Sequence, residues 1–247
     1  MQIDSALASP HLGDNFTAGR QPASFPWRSA EARSVPYSAA DIPAVGGRYK
    51  RVFDVIFAVA SIGLFLPLFC LLAISIRLLN GGPVLYRHER VGRNGKPFFC
   101  LKFRTMVTNA DERLQEHLAG NKEAAREWAA THKLRNDPRI TYLGRILRRT
   151  SLDELPQLFN ILKGEMTFVG PRPIVKAEIQ KYGYDISYYL RARPGLTGAW
   201  QVSGRNDVSY DSRVVLDRQY VENWSFSRDL LILIKTAAVV TTSRGCY

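Results

Sequence analysis

Residues 55–76 read VIFAVASIGLFLPLFCLLAISI, 22 consecutive positions without a charged side chain. Wound as one straight helix this run would be about 33 Å long, close to the hydrocarbon thickness of a bilayer. It is too long and too uniformly apolar for an ordinary buried helix, so membrane insertion is the expectation. Pro67 falls near its middle, where a missing N–H removes one backbone hydrogen bond and bends the helix. Basic residues flank both ends: Arg28, Arg33, Arg48, Lys50 and Arg51 before it, and Arg77, Arg87, Arg90, Arg93 and Lys96 after it. Juxtamembrane Lys and Arg favour the cytoplasmic side, so this balance predicts a re-entrant helix that enters and leaves one leaflet. A straight span with the N-terminal tail outside is the alternative.

Upstream of the run, residues 1–47 are rich in Ala, Ser, Pro and Gly without periodicity, and five prolines from Pro10 to Pro43 break any helix there. A mobile tail is expected, and nothing in it has the layout of a secretory signal. The whole chain has 247 residues, 46% of them hydrophobic, and a formal charge of +12, which favours polyanionic partners. Cys70, Cys100 and Cys246 are scattered and odd in number, which indicates neither a disulfide framework nor a zinc site.

Downstream, VLYRHERVGRNGKPFFCLKFRTM reads as two β runs, residues 84–91 and 97–106, joined by Arg93-Asn94-Gly95-Lys96. Asn-Gly between such runs is the strongest short hairpin signal. Lys102 and Arg104 would make it either a solvated basic hairpin or one wall of a phosphate site. Residues 108–134 have the pattern of a charged helix pair broken at Gly120-Asn121, without evident chemistry. Then comes LGRILRRTSLDELPQLFNILKGEMTFVGPRP, residues 143–173, which brings Arg145, Arg148 and Arg149 up to the carboxylates of Asp153 and Glu154. Ser151 and Glu154 have capping-box spacing, so a helix is expected to begin here, with a start at Pro156 as the alternative. Either start puts two carboxylates at the positive end of a helix, where the arginines hold Asp153 ionised and leave positive charge for a phosphate. Residues 174–189 read as an amphipathic helix. The segment RPGLTGAWQVSGRND, residues 193–207, combines glycines, Trp200 and Arg205, a composition suited to wrapping a ligand. The apolar stretch at residues 230–234 is too short to span and suits a core or membrane-surface helix.

These pieces occur together, in order, over about residues 48–247: Lys50-Arg51-x-Phe53-Asp54, Lys102-Phe103-Arg104-Thr105-Met106, Thr150 to Gln157, Val169-Gly170-Pro171-Arg172-Pro173 and Arg193 to Gly198. The chain thereby resembles the bacterial sugar transferases, the monotopic polyprenyl-phosphate phosphoglycosyl transferases, in their short form. The resemblance implies transfer of a sugar 1-phosphate from a UDP-sugar to undecaprenyl phosphate, with release of UMP, a covalent intermediate and Mg²⁺. Carried onto this sequence, Asp153 is the nucleophile and Glu154 its assistant, both contacting the metal. Lys102, Arg104, Arg148 and Arg172 are expected around the substrate phosphates. Arg193, Gly195, Trp200 and Arg205 are expected around the nucleotide. Pro67 matches the family's membrane bend, although Leu66 stands where the family often has serine, which removes one hydroxyl able to bond a freed carbonyl. The run from Trp200 to Tyr210 and the Ser243-Arg244-Gly245-x-Tyr247 ending resemble the galactose-1-phosphate members, with glucose 1-phosphate the alternative.

The expected fold is α+β: a mostly helical small cytoplasmic domain with a short β-hairpin, anchored by one Pro-broken re-entrant membrane helix. Its parts are the 1–47 tail, the 48–80 membrane helix and the 81–247 catalytic domain. The expected location is the cytoplasmic face of the bacterial inner membrane; self-association is left open. A non-enzymatic, membrane-anchored polyanion binder is the rival reading, but here the arginines converge on a carboxylate pair instead of forming a plain basic stripe. No nucleic-acid-binding module is recognisable.

Overall fold

The computed structural model describes residues 43–203 and 208–241; the expected N-terminal tail up to residue 42, Arg205 and the Ser243–Tyr247 ending lie outside the described residues. The apolar run lies within one 34-residue α-helix, α1 (Gly47–Asn80), which continues through Pro67. Only a small share of its apolar stretch is buried, so most of that surface is left uncovered by the domain. A single stripe does face the domain: Lys50, Asp54 and Ala58 near one end, and Phe69, Leu72 and Ile76 near the other. Between them Leu64 and Leu66 stand exposed. Both ends of the helix therefore pack against the same body.

The hairpin forms as expected. β1 (Leu85–Val91) pairs antiparallel with β2 (Pro97–Phe103), with Tyr86 opposite Lys102, His88 opposite Cys100 and Arg90 opposite Phe98. Asn94 and Gly95 both take positive φ, 57° and 72°, the geometry that lets the turn follow the right-handed twist of the strands. The helix pair also forms: α2 (Ala110–Gly120) and α3 (Lys122–Thr131) break at Asn121, whose side chain accepts from the Glu123 and Ala124 amides.

The chain then runs through α4 (Tyr142–Thr150), a 3₁₀ turn (Leu152–Glu154), α5 (Gln157–Lys163) and β3 (Thr167–Val169). The helix expected over 174–189 is segmented into α6 (Ile179–Tyr182) and α7 (Ile186–Arg191), because Gly183 at φ 50° breaks the run between them. Next, β4 (Gly195–Thr197) pairs parallel with β3, and α8 (Tyr210–Glu222) and α9 (Phe226–Thr241) follow. On α9, Asp229 and Ile232 are buried while Phe226, Leu230, Leu231 and Ile234 are exposed. The main core gathers α1, both sheets, α5 and α9 around Phe69, Phe103, Leu147, Ile161, Met166 and Phe168.

Three residues in the first turns of α1 fasten it to this body. Lys50 pairs with Asp229, which also accepts from Tyr220 Oη at 2.7 Å and Trp224 Nε1 at 3.0 Å. Arg51 donates to the Ile161 and Leu162 carbonyls at 2.5 and 2.7 Å, capping the C-terminus of α5. Asp54, fully buried, accepts from Thr167 Oγ1 at 2.7 Å and from the Phe168 amide at 3.1 Å, holding β3.

Candidate active site

Asp153 and Glu154 lie in the 3₁₀ turn between α4 and α5. Ser151 ends α4 in a left-handed conformation, φ 56°, an uncommon choice for a residue with a Cβ, and its N–H returns to the Arg148 carbonyl at 3.3 Å. The Ser151–Glu154 spacing thus closes one helix instead of opening the next. Ser151 makes no side-chain bond to the turn that follows, and α5 begins only at Gln157, after Pro156. The alternative start weighed at Pro156 matches this boundary.

The cation nearest the carboxylates comes from the hairpin. Lys102 Nζ lies 2.6 Å from Glu154 Oε1 and 3.8 Å from Asp153 Oδ2. Of the three arginines in α4, Arg145 and Arg149 are exposed and Arg148 is half-buried. Arg148 Nε donates to Thr105 Oγ1 at 2.9 Å. That contact depends on Gly144, one turn earlier on the same helix face, since a Cβ there would stand 2.0 Å from the Thr105 carbonyl oxygen.

Asp153 is only 8% exposed, and its carboxyl is pushed up to about 6. Burial is the largest cause; Lys102 opposes it, Glu154 adds to it, and Arg148 opposes it more weakly. Asp153 was expected to be held ionised by the arginines; Lys102 opposes burial more than Arg148 does, and loss of hydration outweighs both cations, so the carboxyl sits above its ordinary value. Burial draws Lys102 toward its neutral form, but the Glu154 and Asp153 carboxylates more than offset this and hold its ammonium above the ordinary value. Burial lowers Arg148, with Asp153 pushing the other way.

The hairpin face carrying Lys102 continues through Cys100, His88 and Arg90. Arg90 Nη1 donates to the Pro173 carbonyl at 3.2 Å, tying that face to the Gly170–Pro173 turn. The turn is held from below by β4: the Gly170 amide donates to the Thr197 carbonyl at 2.9 Å, and the Gly195 amide to the Pro171 carbonyl at 2.8 Å. Arg172 leaves this turn 4.0 Å from Glu178, with its guanidinium over the Trp200 ring at 5.5 Å; Arg213 approaches the same ring at 4.7 Å.

Asp153, Glu154, Lys102 and Arg148 are thus brought together, and Arg172 with Trp200 forms a second group joined to the first by the hairpin. Other expected residues have structural partners. Arg193 Nε donates to the Gly164 carbonyl at 2.9 Å, capping α5 beside Arg51. Gly195 permits the close approach of two backbones, for a Cβ there would lie 2.2 Å from the Gly170 nitrogen. Arg104 Nε donates to the Pro83 carbonyl at 2.9 Å. His88, Arg90, Thr105 and Glu178 were not among the expected site residues, although strand alternation places His88 and Arg90 on the face of Lys102.

The donors suit Mg²⁺. Among the described residues no group of three or more His, Cys, Asp or Glu is gathered. Magnesium, however, usually takes one or two carboxylates and completes its shell with water and substrate phosphates. Asp153 and Glu154 offer that set.

The structure thus joins a long, largely uncovered apolar helix to a small domain that holds a nearly buried carboxylate beside Lys102 and Arg148. Residues 45–243 match the family described as Bacterial sugar transferase. The chain is 52% identical over 213 residues to "Exopolysaccharide production protein ExoY" of Rhizobium meliloti, covering 86% of this chain and 94% of that one. It is 54% identical over 198 residues to "Undecaprenyl-phosphate galactose phosphotransferase" of Salmonella typhimurium, covering 80% of this chain and 41% of that longer one. It is 40% identical over 206 residues to "UDP-glucose:undecaprenyl-phosphate glucose-1-phosphate transferase" of Caulobacter vibrioides, covering 80% and 72%. The chain belongs to the bacterial sugar transferase family.

Proposed function

We infer that the protein transfers a sugar 1-phosphate from a UDP-sugar to undecaprenyl phosphate, releasing UMP, as the initiating step of exopolysaccharide synthesis. The name of the Rhizobium relative supports exopolysaccharide production and that of the Salmonella relative favours galactose 1-phosphate; that of the Caulobacter relative keeps glucose 1-phosphate as the alternative. The observation that carries the reading is Asp153: a nearly buried carboxylate with Lys102 at 3.8 Å, on a domain fastened to a long apolar helix.

In this reading an Asp153 oxygen attacks the sugar-bearing phosphorus, and the bond from that phosphorus to the bridging oxygen breaks, so UMP leaves with the electron pair. The resulting acyl phosphate holds the sugar phosphate until an oxygen of undecaprenyl phosphate attacks the same phosphorus. The Asp153 carboxylate departs, leaving a lipid diphosphosugar. A buried carboxylate near pKa 6 is ionised at neutral pH and poorly hydrated, which favours attack. Lys102, Arg148 and Arg172 offset the repulsion between this nucleophile and a polyanionic donor. When bound by Asp153 and Glu154, Mg²⁺ would supply further charge neutralisation at the phosphates.

Contact of both ends of α1 with the same domain supports insertion from one side, with Leu64 and Leu66 reaching deepest. The catalytic domain then faces the cytoplasm at the inner membrane, at headgroup level, where the acceptor's phosphate lies. Incubating the purified protein with UDP-galactose and Mg²⁺, without lipid, should leave a phosphosugar on a peptide containing Asp153. Asp153→Asn should lose both adduct and turnover while remaining membrane-bound. Turnover retained in that variant would exclude the nucleophile assignment.

A further inference from the structure

The hairpin face that presents Lys102 carries a polar ring that the reaction above leaves unused. His88 stands directly opposite Cys100 in the antiparallel pair and diagonal to Lys102. Diagonal neighbours on one face are about 7–8 Å apart, within reach of long side chains. The Cys100 thiol between them is buried but lies in the field of Asp153, Glu154, Lys102 and Arg90, so this face borders the carboxylate pair. His88 itself is half-buried and rests edge-on against Tyr86, ring centroids 5.9 Å apart.

The tautomer follows from one contact. Arg90 Nη2 lies 3.1 Å from His88 Nδ1. A guanidinium can only donate, so Nδ1 is the acceptor and the ring proton resides on Nε2. Arg90 is in turn oriented by the Pro173 carbonyl and lies 3.9 Å from Glu178, so the imidazole is braced through the turn that carries Arg172. The groups facing the ring are Arg90 on its own strand, Lys102 and Cys100 on the paired strand, and Glu178 beyond Pro173. Burial, Arg90 and Lys102 all oppose an imidazolium and Glu178 alone favours one, so the ring is neutral with one N–H to offer. A neutral donor can bind a polyanion without adding another charge for its neighbours to repel.

We propose that His88 is a further substrate-binding residue, its Nε2–H donating to a phosphate oxygen held between Lys102 and the Arg90–Arg172 side of the site. The proposal rests on the phosphoglycosyl transferase reading and deepens it. The oxygen belongs either to the nucleotide diphosphate or to the acceptor's phosphate monoester.

Two variants of the full chain test it. His88→Leu removes the donor; His88→Gln restores an N–H near the position of Nε2. Measured are UDP affinity and, at saturating UDP-sugar, KM for a short-chain polyprenyl phosphate. If the nucleotide is held, His88→Leu weakens UDP binding about tenfold, the scale of one hydrogen bond to a charged group, and His88→Gln recovers most of it. If the acceptor is held, UDP affinity is unchanged and KM for the polyprenyl phosphate rises by a similar factor, again recovered by glutamine. His88→Leu matching the wild type in both measurements overturns the proposal, as does glutamine failing to recover either defect. A wild-type protein that forms no Asp153 adduct would overturn the covalent reading alone, since UDP affinity is read without turnover.

Discussion

Replacing Asp153 with asparagine should make the metal-free protein more stable while abolishing its chemistry. Burial pushes the Asp153 carboxyl from the ordinary 3.8 up to about 6, so the folded state holds its proton more tightly than the unfolded chain does. Between those values the folded protein carries the extra proton, and stability falls as pH rises; above about 6 the whole penalty remains. At about 1.4 kcal/mol per pH unit the penalty is about 3 kcal/mol at neutral pH. The favourable pull of Lys102 is already contained in that figure, and asparagine avoids the cost because it never ionises. For a chain of this size, about 3 kcal/mol corresponds to roughly 6–12 °C in melting temperature. The assay is thermal unfolding of both proteins in detergent and chelator, at about pH 8 and about pH 4.5. The gain should be full at the higher pH and shrink to about a third at the lower, where the folded Asp153 is neutral but its unfolded counterpart is already mostly ionised. Mg²⁺ added at the higher pH should raise the wild type more than the variant. The reasoning is refuted if Asp153→Asn melts at or below the wild type at about pH 8, or if an equal gain persists at about pH 4.5.

Lys102→Met should push the Asp153 carboxyl further up, since the nearest opposing cation is lost. The pH midpoint of adduct formation should move upward, and an unchanged midpoint would remove Lys102 from the electrostatics of the nucleophile. Asp229→Ala should cost about 3–5 kcal/mol, because it strands Lys50 as a buried, unpaired charge. In thermal melts the double variant Lys50→Met/Asp229→Leu should lose less than the single one. Gly195→Ala should destabilise the domain by about 3 kcal/mol, the upper end for overpacking, as its Cβ meets the Gly170 backbone. Denaturant titration checks this, and a neutral result would mean that β3 and β4 can separate freely.

What was legible in the sequence is what local chemistry dictates. The apolar run of α1 needs only length and composition, the hairpin only Asn94-Gly95, and the α2–α3 break only the capping side chain of Asn121. Ser151 was ambiguous for a local reason: the same spacing fits the end of one helix and the start of the next, and only the left-handed backbone decides. The ionisation of Asp153 was beyond reach because its burial comes from elements distant in sequence. Arg193 illustrates the same limit, since a cation beside a glycine-rich loop reads alike whether it meets a phosphate or the Gly164 carbonyl. The parallel β3–β4 pair, which sets Gly170 against Gly195, joins two three-residue strands far apart in the chain and leaves no periodic trace.

The charged residues that open α1 explain how a membrane helix could set the depth of a reaction centre. Arg51 caps the far end of α5, whose near end follows the turn bearing Asp153 and Glu154. Asp54 holds the start of β3, whose other end leads into the turn bearing Arg172. A seven-residue helix and a three-residue strand are each about 10 Å long. Asp153 and Arg172 are thus separated from the fastening by two short, rigid levers rooted three residues apart on one helix. Phe69, packed against Phe103 and Phe159 at 5.7 Å, secures the other end of α1 to β2 and α5, the elements that carry Lys102 and follow Asp153. Any tilt of α1 would therefore carry Asp153, Lys102 and Arg172 together, shifting their depth while preserving their mutual distances. That is the property needed where one substrate arrives from water and the other presents its phosphate from the bilayer surface.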